Sequence, residues 1–402
     1  MKTFKKPFEG IKVLDFTQAL AGVFCAYQMS DLGATVWKVE RYKYGDQSRV
    51  WPPFVNDIAL GYASFNKNKK SISIDMRKEE GKQIILDMVK ECDVVLENFK
   101  VGTLEKLGLG YEELIKVNPN IIYGSVSGFG IEGPHAKLPC YDNIAAARGG
   151  ISTRSGRPDG PPVKPGYSIC DNWSGLNLFN AVAMAMVEKE RTGKGLRVDV
   201  AMSDCAFYLN DWPMLEYSVF GTIPMRNGNH DATVAPYGEF EAADGYVVLA
   251  ITNDKHWGKF CDIMDLENIK DDSRFADNAS RLENLKDLVV EIEKVTRTIP
   301  KFEIEKMLGE NGVPAGAVMN IPEVMESEQA KASEMIVYVD QEKVGRMPTV
   351  GIPMKFSKTP GDVNGSAPML GANTAEILKQ VGYSEDNINE LVEKNVVEVY
   401  SE

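Results

Sequence analysis

A carboxylate at the start of a long helix can do one of two jobs, and Asp171 stands at such a place, in YSICDNWSGLNLFN. As an N-cap it would accept hydrogen bonds from the first free amides of the helix. As a nucleophile it would attack an activated carbonyl from a fixed backbone, with Gly175 one turn on leaving room for a substrate. The residues alone keep both readings open. A second group concerns anions: Arg41 and Lys43, then Lys67, Lys69, Lys70, Arg77 and Lys78, then Lys100 and Lys106 gather cations in the first quarter of the chain. They form either a solvated lysine-rich surface balanced by neighbouring acids or a local pocket for an anionic ligand. The opening GIKVLDFTQALAGVFCAYQMSDLGATVWKVE resembles a dinucleotide-binding βαβ unit, since Glu40 closes its second strand. Its turn, TQALAG, has only Gly22 where G-x-G-x-x-G lets the backbone approach a pyrophosphate, and this argues against a nicotinamide dehydrogenase.

The elements that must position these groups follow from the pattern. From residue 10 to about 128, short apolar runs alternate with helix-period segments, which predicts βα units around a parallel sheet. The runs are IKVLDF at 11–16, TVWKVE at 35–40, SISIDM at 71–76, DVVLEN at 93–98 and IIYGSVSGF at 121–129, with helices such as GVFCAYQMSDLG and EEGKQIILDMVKEC between them. GISTRSGRPDGPPVKPG at 150–166 is a Gly/Pro-rich connection. A long helix from about Asn172 to Arg191 ends at TGKG, and LRVDVAM then reads as a strand. After about residue 215 the texture changes to loop and hairpin, with ADG as a turn, and to helices around 254–266, 280–297 and 301–311. The stretch 367–397 gives two short amphipathic helices.

With 402 residues the chain suits two domains. Its 44% hydrophobic and 26% charged residues are those of a packed globular protein. The net charge of -13 disfavours nucleic acid and anionic membrane as partners. The start lacks a secretory pattern and no apolar run is long enough for a membrane span, so a cytoplasmic location is expected. Six cysteines without a C-x-x-C pair, and three scattered histidines, give no expectation of a metal.

These residues carry a resemblance. GIKVLDFTQALAG, LGATVWKVE followed by Gly45 and Asp46, NKNKKSISIDM, DVVLENF, LGLGYEEL, NPNIIYGSVSGFGIEGP, the Asp171 segment, TGKGLRVDVAMSD, PYGEFEAADG, GVPAGAVMNIPE and PMLGANTAEILKQVGYSEDNINEL occur in an order and spacing that runs from about residue 8 to 397. Over that span the chain resembles the class III coenzyme A transferases, which include formyl-CoA transferase and the carnitine-type CoA transferase. The resemblance implies an enzyme that moves coenzyme A from an acyl-CoA to a small free carboxylic acid, with Asp171 as nucleophile and Tyr141 and Asp142, in LPCYDNIA, beside the reacting thioester. It implies that Arg41, Arg77, Lys100 and Lys106 neutralise the phosphates of coenzyme A, and that Leu20, Ala21, Ile74, Met76, Asn98 and Phe99 frame its adenine and pantetheine. It also implies an α/β fold: a large Rossmann-like parallel-sheet domain from residues 1–215 and 331–402, a smaller α+β domain from 216–330, and an interlocked homodimer. Leu20 stands where formyl-CoA transferase has a glutamine, and that enzyme's run of four glycines is replaced by RNGNHDATVAPYG. Formate and oxalate specificity therefore do not carry over.

Two rivals accompany this reading. An α-methylacyl-CoA racemase needs a histidine in a G-H-D segment as second acid/base partner, and here the triplet is Cys140, Tyr141, Asp142. A phenol with an ordinary pKa near ~10 is a poor base at neutral pH. A non-catalytic CoA-binding partner subunit would lack the nucleophile, whereas Asp171 is present.

Overall fold

The computed structural model describes residues 5–363 and 365–401. The chain divides into two compact units, one of Met1–Ile151, Pro165–Leu215 and Glu328–Glu402, the other of Ser152–Lys164 and Glu216–Ser327. The sequence pattern places 152–164 with the segment 1–215; in the structure it clusters with the smaller unit instead.

The larger unit is built on one sheet. Its strands are β1 (Lys12–Asp15), β2 (Thr35–Arg41), β3 (Lys70–Ile74), β4 (Val94–Glu97), β5 (Ile122–Ser127), β6 (Arg197–Ala201) and β7 (Val397–Glu398). They lie in the order β7-β3-β2-β1-β4-β5-β6. All neighbours are parallel except β7, which pairs antiparallel with β3, Val397 opposite Ile74. The first six strands follow the doubly wound order, which reverses direction between β1 and β4 and leaves a crevice at the carboxyl ends of the strands. Alternation along each strand feeds two cores, as a period of two requires. Leu14, Trp37, Ile72 and Val95 join the cluster on one face, with Ile84, Ile85 and Met88 of α2 (Glu79–Lys90). Val13, Val36, Val94, Leu96 and Ile122 join the cluster on the other, with α1 (Ala21–Asp31) and α4 (Ile169–Thr192). Between these helices in sequence lies the short α3 (Asp142–Arg148).

The long helix α4 stops where the TGKG segment predicts, with Gly193 in the left-handed region at φ 71° and Lys189 and Arg191 in the last turn. Small residues bring it onto the sheet: a Cβ on Gly124 would lie within 3.1 Å of Leu178 and Val182 side chains.

Within the smaller unit, Tyr237–Ala242 and Gly245–Ala250 form the hairpin predicted around ADG, and Ala315–Ala317 adds a third strand. The helix expected over 280–297 is two helices, Asn278–Glu283 and Leu285–Thr296, broken at Asn284. They cover a core containing Phe240, Val247, Trp257, Phe260, Phe275 and Ile292. Among the described residues, no helix is long and apolar enough to cross a membrane.

Candidate active site

The start of α4 divides the two jobs open to Asp171 between two residues. The helix is preceded by Ser168, whose side chain makes no cap, and the capping carboxylate comes from α3. Asp142 Oδ1 accepts hydrogen bonds from the backbone amides of Cys170 at 2.8 Å and Asp171 at 3.1 Å. The N-cap reading of Asp171 is thereby corrected: Asp142, distant in sequence, satisfies the free amides. The Asp171 carboxylate is half-buried and has no hydrogen-bond or ion-pair partner among the described residues. Burial, and then the negative charge of Asp142, push its carboxyl up to about 7. A helix N-terminus alone would favour the anion; desolvation and a like charge outweigh it. Tyr141 immediately precedes α3 and is 64% exposed. Cys140 packs against the turn after β5, where a Cβ on Gly128 would lie 2.2 Å from the Cys140 Cβ.

Gly175 has a different task from the one its sequence position suggests. A Cβ there would lie 2.4 Å from the Ala21 carbonyl oxygen and 2.7 Å from Phe24 Cβ. The space beside Gly175 is thus filled by α1 and not left for a substrate. The close approach brings Leu20 and Ala21, at the start of α1, against the first turns of α4.

The loop leading into α1 is held from several sides. Asn98 Oδ1 accepts from the Gln18 amide at 2.7 Å and its Nδ2 donates to the Gln18 carbonyl at 2.9 Å. Asp46 Oδ1 accepts from the Ala19 amide at 3.2 Å, and the buried Lys38 Nζ donates to the Thr17 carbonyl at 2.8 Å. Ala19 is held at φ 65°, a conformation that costs about 1 kcal/mol or more and persists only where its surroundings enforce it. Asn98, assigned by resemblance to the ligand, has its amide engaged by the loop backbone.

Along the carboxyl ends of β2 and β3 lies a cleft of about 460 Å³. Of the residues expected to hold coenzyme A, Arg41, Ile74, Met76, Arg77 and Phe99 line it. Leu20, Ala21, Asn98, Lys100 and Lys106 do not, and both lysines are exposed on the surface. The lining also includes Asp46, which the matching segments contain, and Gln18, Tyr44, Val50 and Leu107, which the sequence reading did not single out. Tyr44 had a signal in its spacing from Arg41, whose guanidinium lies 4.5 Å from the ring centroid. Arg77 is paired bidentately with Asp75, at 2.8 Å for both bonds.

The basic cluster is not one surface. Lys67 and Lys69 are buried and paired with Asp31 and Asp15, at 3.6 and 2.9 Å, and Lys70 is paired with Glu376. This correction has a simple cause: an ammonium can be interior when its carboxylate partner arrives from a distant segment. What remains beside the cleft is Arg41 and Arg77, together with the aromatic and apolar side chains of Tyr44, Ile74, Met76 and Phe99.

Comparisons with known proteins agree with this architecture. The family model described as CoA-transferase family III matches residues 8–374. The chain is 34% identical over 401 residues to the succinyl-CoA:glutarate CoA-transferase of Homo sapiens, covering 98% of this chain and 90% of that protein. It is 38% identical over 384 residues to the succinyl-CoA:mesaconate CoA-transferase of Haloarcula hispanica, covering 93% and 96%. A crystal structure of a CAIB/BAIF family protein from Brucella suis superposes with a TM-score of 0.86 at 34% identity, covering 94% of this chain and 100% of that one. A parallel sheet of doubly wound order, a cleft at its carboxyl edge and a match across most of the chain lead to one assignment: this protein is an enzyme of CoA-transferase family III.

Proposed function

We propose that the enzyme moves coenzyme A from an acyl-CoA to a free carboxylic acid through a thioester on Asp171. The observation that carries this reading is the division of labour at the start of α4: Asp142 binds the helix amides, and the Asp171 carboxylate beside it is left without a partner. Asp171 attacks the donor thioester carbonyl, the carbon–sulfur bond breaks, and an acyl-aspartyl anhydride forms with release of CoA thiolate. The thiolate attacks the aspartyl carbonyl carbon, giving aspartyl-CoA and the donor acid. The acceptor carboxylate then attacks this thioester, and the displaced thiolate takes the new acyl group, which restores Asp171. Each exchange is an acyl transfer between carboxylate and thiolate, so no proton has to move in the balance. Splitting the reaction avoids direct attack of one weak nucleophile on a distant thioester. Exclusion of water protects the anhydride from hydrolysis.

Only ionised Asp171 is nucleophilic. With its carboxyl at about 7, the competent fraction rises with pH through neutrality and levels off above it. Arg41 and Arg77 bind the phosphates of coenzyme A at the cleft mouth, Ile74, Met76 and Phe99 receive its apolar parts, and Lys100 and Lys106 add positive charge nearby. Leu20, Ala21 and Asn98 act through the loop that carries Gln18 into the cleft, and Tyr141 stands beside the reacting carbonyl. The acid and donor named for the human relative, glutarate and succinyl-CoA, make the first assay. A homodimer is part of the same proposal: Phe207, Tyr208, Trp212, Tyr217 and Phe220 are all more than half exposed on a single chain, an apolar run of the kind that marks a protein interface.

The direct test is trapping. Acyl-CoA followed by hydroxylamine or borohydride should modify Asp171, as read by peptide mass spectrometry; modification elsewhere, or none during turnover, would rule the intermediate out. Light scattering that gives a monomer would remove the dimer.

A further inference from the structure

The two arginines that line the cleft are held in opposite ways. Arg77 is gripped by a near neighbour: Asp75 accepts from its Nε and Nη2, so a carboxylate already cancels its charge. Arg41 has neither a carboxylate partner nor a side-chain hydrogen bond among the described residues. Its guanidinium lies over the Tyr44 ring, 4.5 Å from the centroid. An aromatic ring attracts a cation through its quadrupole and leaves the positive charge uncancelled. The N–H donors of Arg41 therefore stay open to an anion.

The chain between the two side chains is folded to make this contact. Arg41 is the last residue of β2. Its carbonyl accepts from the Tyr44 amide at 3.0 Å and from the Gly45 amide at 2.8 Å, which closes a tight turn on Arg41. Lys43 at φ 66° and Gly45 at φ 69° both take left-handed backbone, a costly conformation for a lysine that persists because the turn enforces it. The Lys43 amide is tied from outside the turn, to Glu398 at 3.2 Å. The Tyr44 ring is 67% exposed and lines the cleft, so core packing does not explain its place.

Resting on the transferase reading and its placement of coenzyme A in this cleft, we propose that Tyr44 is a positioning residue. It holds the Arg41 guanidinium at the cleft with its charge uncancelled, and Arg41 takes a phosphate group of the coenzyme. Without the ring, binding would have to order a free arginine side chain at an entropic cost. Arg77 meets the same ligand already paired, so the larger share of the phosphate attraction falls to Arg41. The pantetheine and acyl parts carry no phosphate and gain nothing from the pair.

The test compares succinyl-CoA with succinyl-pantetheine as donors, glutarate being the acceptor, for the intact wild-type enzyme and its variants. In a double-displacement reaction, kcat/KM for the donor reports only its own half-reaction. Tyr44→Leu should lower kcat/KM for succinyl-CoA by about 3- to 30-fold, through KM, whereas Tyr44→Phe keeps the ring and should stay within about twofold. Arg41→Ala should lower it by about 10- to 100-fold. The double variant should match Arg41→Ala within about twofold, since the ring acts only through the arginine. Succinyl-pantetheine should change by less than about twofold in every variant. Losses that multiply in the double variant, equal losses for both donors, or no loss in Tyr44→Leu where Arg41→Ala has one, each overturn the proposal. No loss in Arg41→Ala, with Asp171 still trapped, overturns the phosphate placement and this inference but leaves the transferase reading standing. Transfer from neither donor, with no trapped Asp171 adduct, overturns all three.

Discussion

Two regions of the larger unit treat charge in opposite ways. Beneath the cleft, ionised groups are interior and matched: Asp15 with Lys69 at 2.9 Å, Lys38 with Asp46 at 2.8 Å, and Glu40 with Arg49 at 2.7 Å. Burial disfavours each charge, yet the opposite ions hold the Asp15, Glu40 and Asp46 carboxyls below their ordinary values and Lys38 above its own. At the start of α4, Asp171 has burial and a like charge and no counter-ion. The first region is a rigid base in which removing one partner strands another. The second holds a carboxylate without a counter-ion at a cost in stability, the kind of perturbed group that active sites commonly keep.

The contrast can be broken most severely at Asp171. Asp171→Ala should lower kcat by about four orders of magnitude or more while leaving CoA binding nearly intact, measured by steady-state kinetics and calorimetry. Lys38→Met should act on the other region, costing about 3–5 kcal/mol because it leaves Asp46 buried and unpaired and frees the Thr17 carbonyl, as read by denaturant unfolding. If it costs under about 1 kcal/mol, the base is not the rigid support described here.

A smaller effect is expected at the packing that joins the two regions. Gly175→Ala places a methyl group against the Ala21 carbonyl and should cost about 1–3 kcal/mol, with a fall in kcat from displacement of the α1 start. The smallest sharpens the sign of the argument. The folded chain holds the Asp171 proton up to about pH 7, whereas an unfolded aspartate releases it near its ordinary value of 3.8. Stability from this group is therefore lost as pH rises from about 4 to 7. Asp171→Asn should stabilise the fold, more at pH 8 than at pH 5, by about 1–2 kcal/mol in denaturant unfolding once its partial exposure is allowed for. A loss of stability at pH 8 would contradict the assigned environment.

Much of the sheet was legible because its strands are short apolar runs bounded by turn residues, and α4 because its end carries Gly193 after a basic last turn. The family resemblance pointed to Asp171, Tyr141 and Asp142, but not to how they share their work. That required knowing that the carboxylate of Asp142 meets amides nearly thirty positions later. Lys67 and Lys69 were misread for the same reason, since lysine in a polar stretch looks exposed until its partner is placed. Gly175 shows the limit for small residues: the sequence announces a close approach but not which neighbour makes it. Gln18 stayed hidden because the cleft is assembled from loops after different strands.

The edge strand β7 sets an order on biosynthesis. Val397 and Glu398 pair with β3, the Asp75 amide donates to the Val396 carbonyl, and the Tyr42 hydroxyl reaches Asn395. A nascent chain emerging from the ribosome carries β3 as a bare edge through nearly the whole of translation, open to pairing with other chains. The sheet beside the cleft closes only when the segment through residue 398 has been made, so messages cut short before it should yield protein that aggregates instead of protein that is merely less active.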